Sequence, residues 1–77
     1  MLDLPVEKWN SLLKEVYKKN SGTLEELEKI VGNLVGKDKI KTTIKALLYL
    51  DFIQLGLDID KNTTWKATDI LREEVGR

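Results

Sequence analysis

The sequence of 77 residues contains no cysteine, no histidine and a single proline. Without cysteine there is neither a disulfide framework nor a thiolate metal site, and without histidine the usual general base and metal ligand are missing. Acidic pairs remain at Glu25–Glu26 and Glu73–Glu74, but adjacent residues of a helix point in different directions and do not converge on one substrate atom. The composition therefore predicts no enzyme activity, no metal and no other cofactor.

Long hydrophobic runs are also missing. None approaches the ~20 residues that a membrane-spanning helix needs. The N-terminus, with Asp3 and Glu7, lacks the basic and then apolar segments of a signal peptide. At 77 residues and 42% hydrophobic composition, the chain is expected to form one domain over residues 1–77, with no second domain that would sense a small-molecule ligand. We expect a cytoplasmic protein without a membrane partner.

Charge is balanced overall but unevenly distributed. Thirteen basic and thirteen acidic residues give a net charge of zero. Between Lys37 and Lys45, however, four lysines oppose one aspartate, which is a local charge of +3. The segment from Glu25 to Lys29 has three glutamates and one lysine, which is a local charge of −2. A basic helix of this kind is suited to a phosphate backbone.

Apolar residues at helical spacing predict two helices before residue 32. The first begins near Asp3–Pro5 and runs to Asn20, and Gly22 is expected to end it in a left-handed conformation. The second begins with a capping box of Thr23 and Glu26, covers Leu24–Val31 and ends at Gly32. The core stripe of the first helix consists of Val6, Trp9, Leu12, Leu13, Val16 and Tyr17.

A tight turn over Gly32–Gly36 and a third helix from Lys37 to Leu50 follow. Its inward face consists of Ile40, Ile44, Leu47 and Leu48, and the opposite arc carries Asp38, Lys41, Thr42, Lys45 and Tyr49. From Ile53 to Ile59 apolar residues alternate with polar ones, which is typical of a strand. A polar turn, Asp60–Thr63, leads to a return strand, Thr64–Thr68, with Trp65 and Ala67 on one side. Thr68 or Asp69 then caps a short helix that ends near Val75.

This order of elements resembles a winged helix-turn-helix domain. TLEELEKIVG resembles the first helix of the motif, KIKTTIKALLYLDFIQL resembles the recognition helix and first wing strand, and TWKATDIL resembles the second wing strand and closing helix. The resemblance implies an α+β fold with a three-helix core, a two-stranded β-hairpin wing and a short C-terminal helix. Small archaeal regulators, including those of plasmids and viruses, are similar in size. At Asp51 the chain departs from the pattern, because glycine is frequent where the recognition helix turns into the wing.

The resemblance also implies a function: sequence-specific binding of double-stranded DNA by a transcription regulator. The third helix would enter the major groove and the hairpin would lie on the backbone or in the minor groove. The DNA-contacting residues expected on this basis are Lys37, Lys39, Lys41, Thr42, Thr43, Lys45, Tyr49, Lys61, Asn62, Thr63, Thr64 and Lys66. Because one recognition helix reads few base pairs, a homodimer on a palindromic site is expected, with the first helix and the segment Ile70–Arg77 as candidate interfaces.

Two alternative interpretations remain open beside DNA binding. On composition alone, the lysine cluster is more often a solvated helix face, and only its position after a capped helix and before a hairpin favours DNA. The zero net charge and a pI near 6.2 favour instead a winged-helix module that binds protein, since nucleic-acid binders are more often basic.

Overall fold

A computed structural model describes residues 4–76 of the chain. Four α-helices, a 3-10 helix and a three-stranded antiparallel sheet make up this part. The elements in chain order are α1 (Val6–Lys19), β1 (Ser21–Thr23), α2 (Leu24–Val35), the 3-10 helix (Lys37–Lys39), α3 (Ile40–Tyr49), β2 (Ile53–Leu57), β3 (Thr63–Ala67) and α4 (Asp69–Val75). The α+β class is confirmed, and the arrangement is compatible with a winged helix. No helix in residues 4–76 has the length and apolar character needed to cross a membrane.

The sheet has one strand more than the predicted hairpin. Its order is β1-β3-β2, so β3 lies in the centre and pairs antiparallel with both neighbours. The prediction that Gly22 adopts a left-handed conformation is wrong, because Gly22 lies in β1 opposite Trp65. Asn20 has the positive φ instead, at 74°, which asparagine tolerates better than most residues. A Cβ at position 22 would lie 2.8 Å from Oε1 of Glu26, so glycine leaves room for the Glu26 carboxylate.

α1 begins after a proline and has two lysines in its last turn. Pro5 occupies the N-cap position without a side-chain cap, and its carbonyl accepts from the Trp9 N–H at 3.0 Å. The predicted capping residue Asp3 lies outside the described residues. At the other end, Lys18 and Lys19 stand in the last turn, where positive charge complements the helix dipole.

α2 extends four residues further than the sequence predicts. It continues through Gly32 to Val35, so the turn predicted for 32–36 is reduced to Gly36, which has a φ of 99°. A Cβ at position 32 would lie 3.1 Å from Cδ1 of Ile40, so the missing side chain leaves room for the start of α3. The added turn places Val35 in the core, where its burial offsets the low helix propensity of glycine.

The predicted third helix is divided into two parts. A 3-10 helix at Lys37–Lys39 precedes α3, and Leu50 follows as the C-cap, with its N–H donating to Ala46 O at 3.0 Å. Asp51 then adopts φ 60°, the left-handed conformation that glycine usually supplies after a helix. This conformation redirects the chain into β2, and the Thr68 hydroxyl donates to the carbonyl of Asp51.

One apolar core joins the helices to the sheet. Ile44 and Leu47 of α3 and Trp65 of β3 are buried in it, as the sequence predicts. Trp9 packs against its edge and its ring centroid lies 6.5 Å from that of Phe52. The buried hydrophobic residues are Leu12, Leu13, Val16, Leu27, Val31, Val35, Ile44, Leu47, Phe52, Ile53, Trp65 and Leu71.

Thr43 is a polar residue in this core, which corrects its predicted place at the DNA surface. Its side chain is fully buried, and its Oγ1 has no hydrogen-bond partner among the described residues. A buried hydroxyl without a partner costs free energy because it has lost its water.

We therefore expect Thr43→Val to raise the free energy of unfolding by about 1 kcal/mol, since valine has nearly the same shape and no hydroxyl. Urea denaturation followed by circular dichroism measures the change. Thr42→Val is the matched control, because Thr42 is exposed on the same helix and its replacement should change stability by less than about 0.5 kcal/mol. A loss of stability in Thr43→Val would show that the hydroxyl does have a partner.

The capping box of α2 is formed as predicted. The N–H of Glu26 donates to Thr23 Oγ1 at 3.2 Å, and Glu26 Oε1 accepts from the N–H of Thr23 at 2.9 Å. Lys19 Nζ lies 3.0 Å from the other carboxylate oxygen. The backbone N–H of Thr23, followed by the ammonium of Lys19, lowers the pKa of Glu26 below its ordinary value of 4.5.

A lowered pKa in the folded state predicts stability that depends on pH. The contribution of Glu26 is complete well above pH 4.5 and is lost as the pH falls through the folded-state pKa. We expect Glu26→Gln to reduce stability at neutral pH and to flatten its decline on acidification. Denaturation midpoints at several pH values measure this slope. Glu25→Gln, which removes a neighbouring carboxylate outside the capping box, is the control for the change of charge, and equal slopes in the wild type and Glu26→Gln would contradict the assignment.

Candidate nucleic-acid interface

The outer face of α3 carries most of the predicted contact residues. Lys41, Thr42, Lys45 and Tyr49 are all exposed, and Tyr49 is 87% accessible. The opposite face of α3 packs against α2 and the sheet, which fixes the direction of this outer face. Thr43 is the one predicted residue of α3 that cannot reach a ligand, because it is buried.

The start of α3 is uncapped and basic. Lys39 occupies the N-cap position without a side-chain cap, and the first turn of α3 contains no acidic residue. Lys37 is exposed beside it in the 3-10 helix, and Lys39 is half-buried. A helix dipole favours negative charge at this end, so lysines there are unfavourable for the isolated helix. The exposed ammonium groups of Lys37 and Lys41 near this end are favourable for a bound anion.

The exposed lysines of this face lack the ion pairs that some other charged residues of the described chain form. Lys37, Lys41 and Lys45 form no ion pair within residues 4–76, whereas Lys19 pairs with Glu26, and Arg72 lies 3.7 Å from Asp69. The neighbouring α2 has acidic residues in its first turn. The structure thus leaves a basic surface of Lys37, Lys41 and Lys45 that no ion pair neutralises within residues 4–76.

The hairpin residues are not equivalent. Thr64 and Lys66 lie on the same face of β3, with Lys66 exposed and Thr64 half-buried, whereas Thr63 lies on the opposite face across from Leu57. Lys61 is exposed in the turn and has a φ of 66°. The predicted contact residues of the hairpin are therefore split between the two faces of the sheet, and one rigid surface does not contain all of them.

Asn62 has a structural role in the turn. Its backbone N–H donates to Asp58 Oδ1 at 2.9 Å, and its Nδ2 donates to Asp58 Oδ2 at 3.3 Å. The Asp60 N–H also donates to Asp58 Oδ1 at 2.9 Å. The backbone N–H of Asn62 is the main cause that lowers the pKa of Asp58, which remains ionised and engaged in the loop. Asp60 remains exposed at the tip.

An apolar groove between α1 and α3 is the part of this surface that the sequence did not reveal. Its volume is about 870 Å³, and it is lined by Leu4, Val6, Trp9, Thr42, Lys45, Ala46, Tyr49 and Leu50. The sequence predicts Val6 as a core residue, but Val6 is 72% exposed at the rim. The signal was present in the helical phase, because Ala46 and Leu50 follow Thr42 at intervals of four along the outer face of α3.

The described residues form no group of side chains suited to a metal ion. Within the part of the chain that the structure describes, no three acidic residues come together in a way that would hold a metal ion. The fold is thus a small α+β domain with an exposed basic helix, a hairpin and an apolar groove. Searches of protein-family models, of curated proteins and of solved structures find no match to this chain.

Proposed function

We propose that this protein is a winged-helix transcription regulator that binds double-stranded DNA sequence-specifically. The observation that carries the proposal is the basic surface of Lys37, Lys41 and Lys45, which are exposed and form no ion pair within residues 4–76. Lys41 and Lys45 lie on α3, which is followed directly by a hairpin. In the proposed complex α3 enters the major groove, and its lysines contact mainly phosphates. The hairpin lies against the backbone or the minor groove, with Lys61 and Lys66 as contacts.

Base recognition would rest on few side chains. Thr42 is exposed between the lysines and has a hydroxyl and a methyl group, which suit a base edge and a thymine methyl respectively. Lys41 or Lys45 would reach the acceptor edge of guanine, without the two-point geometry that arginine provides. We therefore expect DNA shape to contribute to specificity. A homodimer in the cytoplasm, bound to a palindromic site, completes the proposal.

Fluorescence anisotropy with labelled duplexes tests this function. One duplex should contain the DNA upstream of the protein's own gene and another an unrelated sequence of the same length. If about four lysines contact phosphates, affinity should fall roughly 100-fold between ~50 and ~200 mM salt. Tighter binding to the upstream duplex would support sequence specificity. Absence of binding to either duplex at low salt would refute DNA binding.

A module that binds protein is the second candidate. The apolar groove favours it, since a contiguous apolar surface on a small protein commonly marks an interaction site. In this case DNA affinity would be weak and insensitive to replacement of the α3 lysines, and the groove would be the binding site.

A further inference from the structure

Six of the seven exposed large apolar side chains of the described residues form two groups. Val6, Tyr49 and Leu50 line the groove between α1 and α3. The second group, Leu55, Leu57 and Ile59, follows the hairpin. Ile70 on α4 is the seventh exposed large apolar residue and belongs to neither group. Folding thus leaves six large apolar side chains of this small protein exposed in two surfaces. Exposed apolar surfaces of this kind mark interaction sites.

The two groups differ in shape. The first group surrounds a concave groove of about 870 Å³. The second stands on a projection, because exposure rises along the hairpin from 45% at Leu55 to 70% at Leu57 and 96% at Ile59. No residue of β2, β3 or their turn lines the groove within the described chain. The projection of one molecule is therefore available to the groove of another.

Charge adds a second complementarity. Ile59 stands between Asp58 and Asp60 at the tip, where Lys61 leaves a net charge of −1 over the four residues. Among the described residues that line the groove, Lys45 is the charged one, and it forms no ion pair within residues 4–76. An acidic apolar tip and a basic apolar groove attract one another, whereas two tips or two grooves repel.

We propose that the β2–β3 hairpin of one copy docks in the α1–α3 groove of a second copy, and that the contact is reciprocal. A two-fold axis forms both contacts at once, so the buried surface is twice that of one hairpin in one groove. The partner is a second copy because the chain itself supplies both halves of the contact. This inference does not depend on DNA binding.

The reciprocal dimer has a consequence for the proposed function. It covers Thr42, Lys45 and Tyr49, which also belong to the proposed DNA interface. The dimer and a DNA complex through α3 exclude one another, so this dimer is a DNA-free form. It is distinct from a dimer on a palindromic site, whose interface would be α1 or the segment 70–77.

Sedimentation of the whole protein over a roughly hundredfold range of concentration tests the proposal. The wild type should change from monomer to dimer as concentration rises. Ile59→Ser should weaken dimerisation at least ~100-fold, because two isoleucine side chains lose burial in each dimer. Ile70→Ser changes an exposed isoleucine in the segment 70–77, the candidate interface of the palindromic dimer, and should leave the hairpin–groove dimer intact. A wild type that stays monomeric, or a dimer lost in Ile70→Ser and retained in Ile59→Ser, would overturn the proposal.

A charge exchange tests which surfaces meet. Lys45→Glu and Asp60→Lys should each weaken dimerisation about tenfold, because each variant alone brings like charges together in both contacts. A mixture of the two variants should regain the affinity, since both contacts of the mixed dimer again join opposite charges. Both side chains are exposed, so neither change should affect folding, which circular dichroism verifies. If the mixture associates no better than the separate variants, the hairpin does not meet the groove.

Discussion

A variant with both Lys41→Ala and Lys45→Ala is expected to bind duplex DNA about 10- to 100-fold more weakly than the wild type at ~100 mM salt. Each lysine that contacts a phosphate releases about one counterion, so the salt dependence should also decrease by about two in the slope of log K against log salt. Both side chains are exposed on α3 and form no ion pair within residues 4–76, and their removal leaves the core intact. Anisotropy titrations at several salt concentrations measure both quantities.

The control for this experiment is a pair of lysines on α1. Lys14 and Lys18 are exposed, lie four residues apart as Lys41 and Lys45 do, and their removal changes the net charge equally. Lys14 lies beside α4, near Glu74 and Val75. Lys14→Ala/Lys18→Ala should bind DNA nearly as the wild type does. Equal losses in the two double variants would mean that net charge alone governs binding, and no loss in the α3 variant would place function elsewhere.

Trp65→Ala is expected to produce the largest loss of stability, about 3–5 kcal/mol. The side chain is 1% exposed in the central strand, opposite Leu55 of β2 and Gly22 of β1. A domain of this size has a total stability of about 4–12 kcal/mol, so much of the variant should be unfolded at room temperature. The Nε1 of Trp65 is buried without a hydrogen-bond partner among the described residues, and its removal offsets only a small part of the lost packing.

Trp9→Ala provides the comparison for Trp65. Trp9 is half-buried at the edge of the core, so its loss should cost about 1–2 kcal/mol. Urea denaturation followed by far-ultraviolet circular dichroism is suitable, since that signal does not require tryptophan. Equal destabilisation in the two variants would contradict the assignment of Trp65 as the centre of the core.

Local signals in the sequence predicted several elements correctly. The capping box of Thr23 and Glu26 and the Thr68 cap of α4 are formed, because each depends on residues three positions apart. Asp51 has the positive φ that the comparison with glycine at this position indicated. The buried face of α3 was predictable from helical phase, since Ile44 and Leu47 recur at the helical spacing. In each case the necessary information lies within one or two turns of the chain.

Elements that depend on distant residues were not predictable in this way. β1 consists of Ser21–Thr23 and exists because β3 pairs with it from more than forty residues away. Gly32 signals a helix end locally, but packing of Ile40 and burial of Val35 extend α2 past it. The alternation from Ile53 to Ile59 identifies a strand, yet burial ends near Ile53 because the hairpin projects from the body.

The same division applies to the candidate site. The sequence by itself determined that the chain has a basic third helix, that Lys41, Lys45 and Tyr49 face outward, and that a polar turn joins two strands, because charge and periodicity are properties of neighbouring residues. Only the tertiary structure decided that Thr43 is buried and that α1 and α3 enclose an apolar groove. Both depend on how helices from separate parts of the chain pack. Helical phase specifies the direction in which a side chain points, but not which other element it meets.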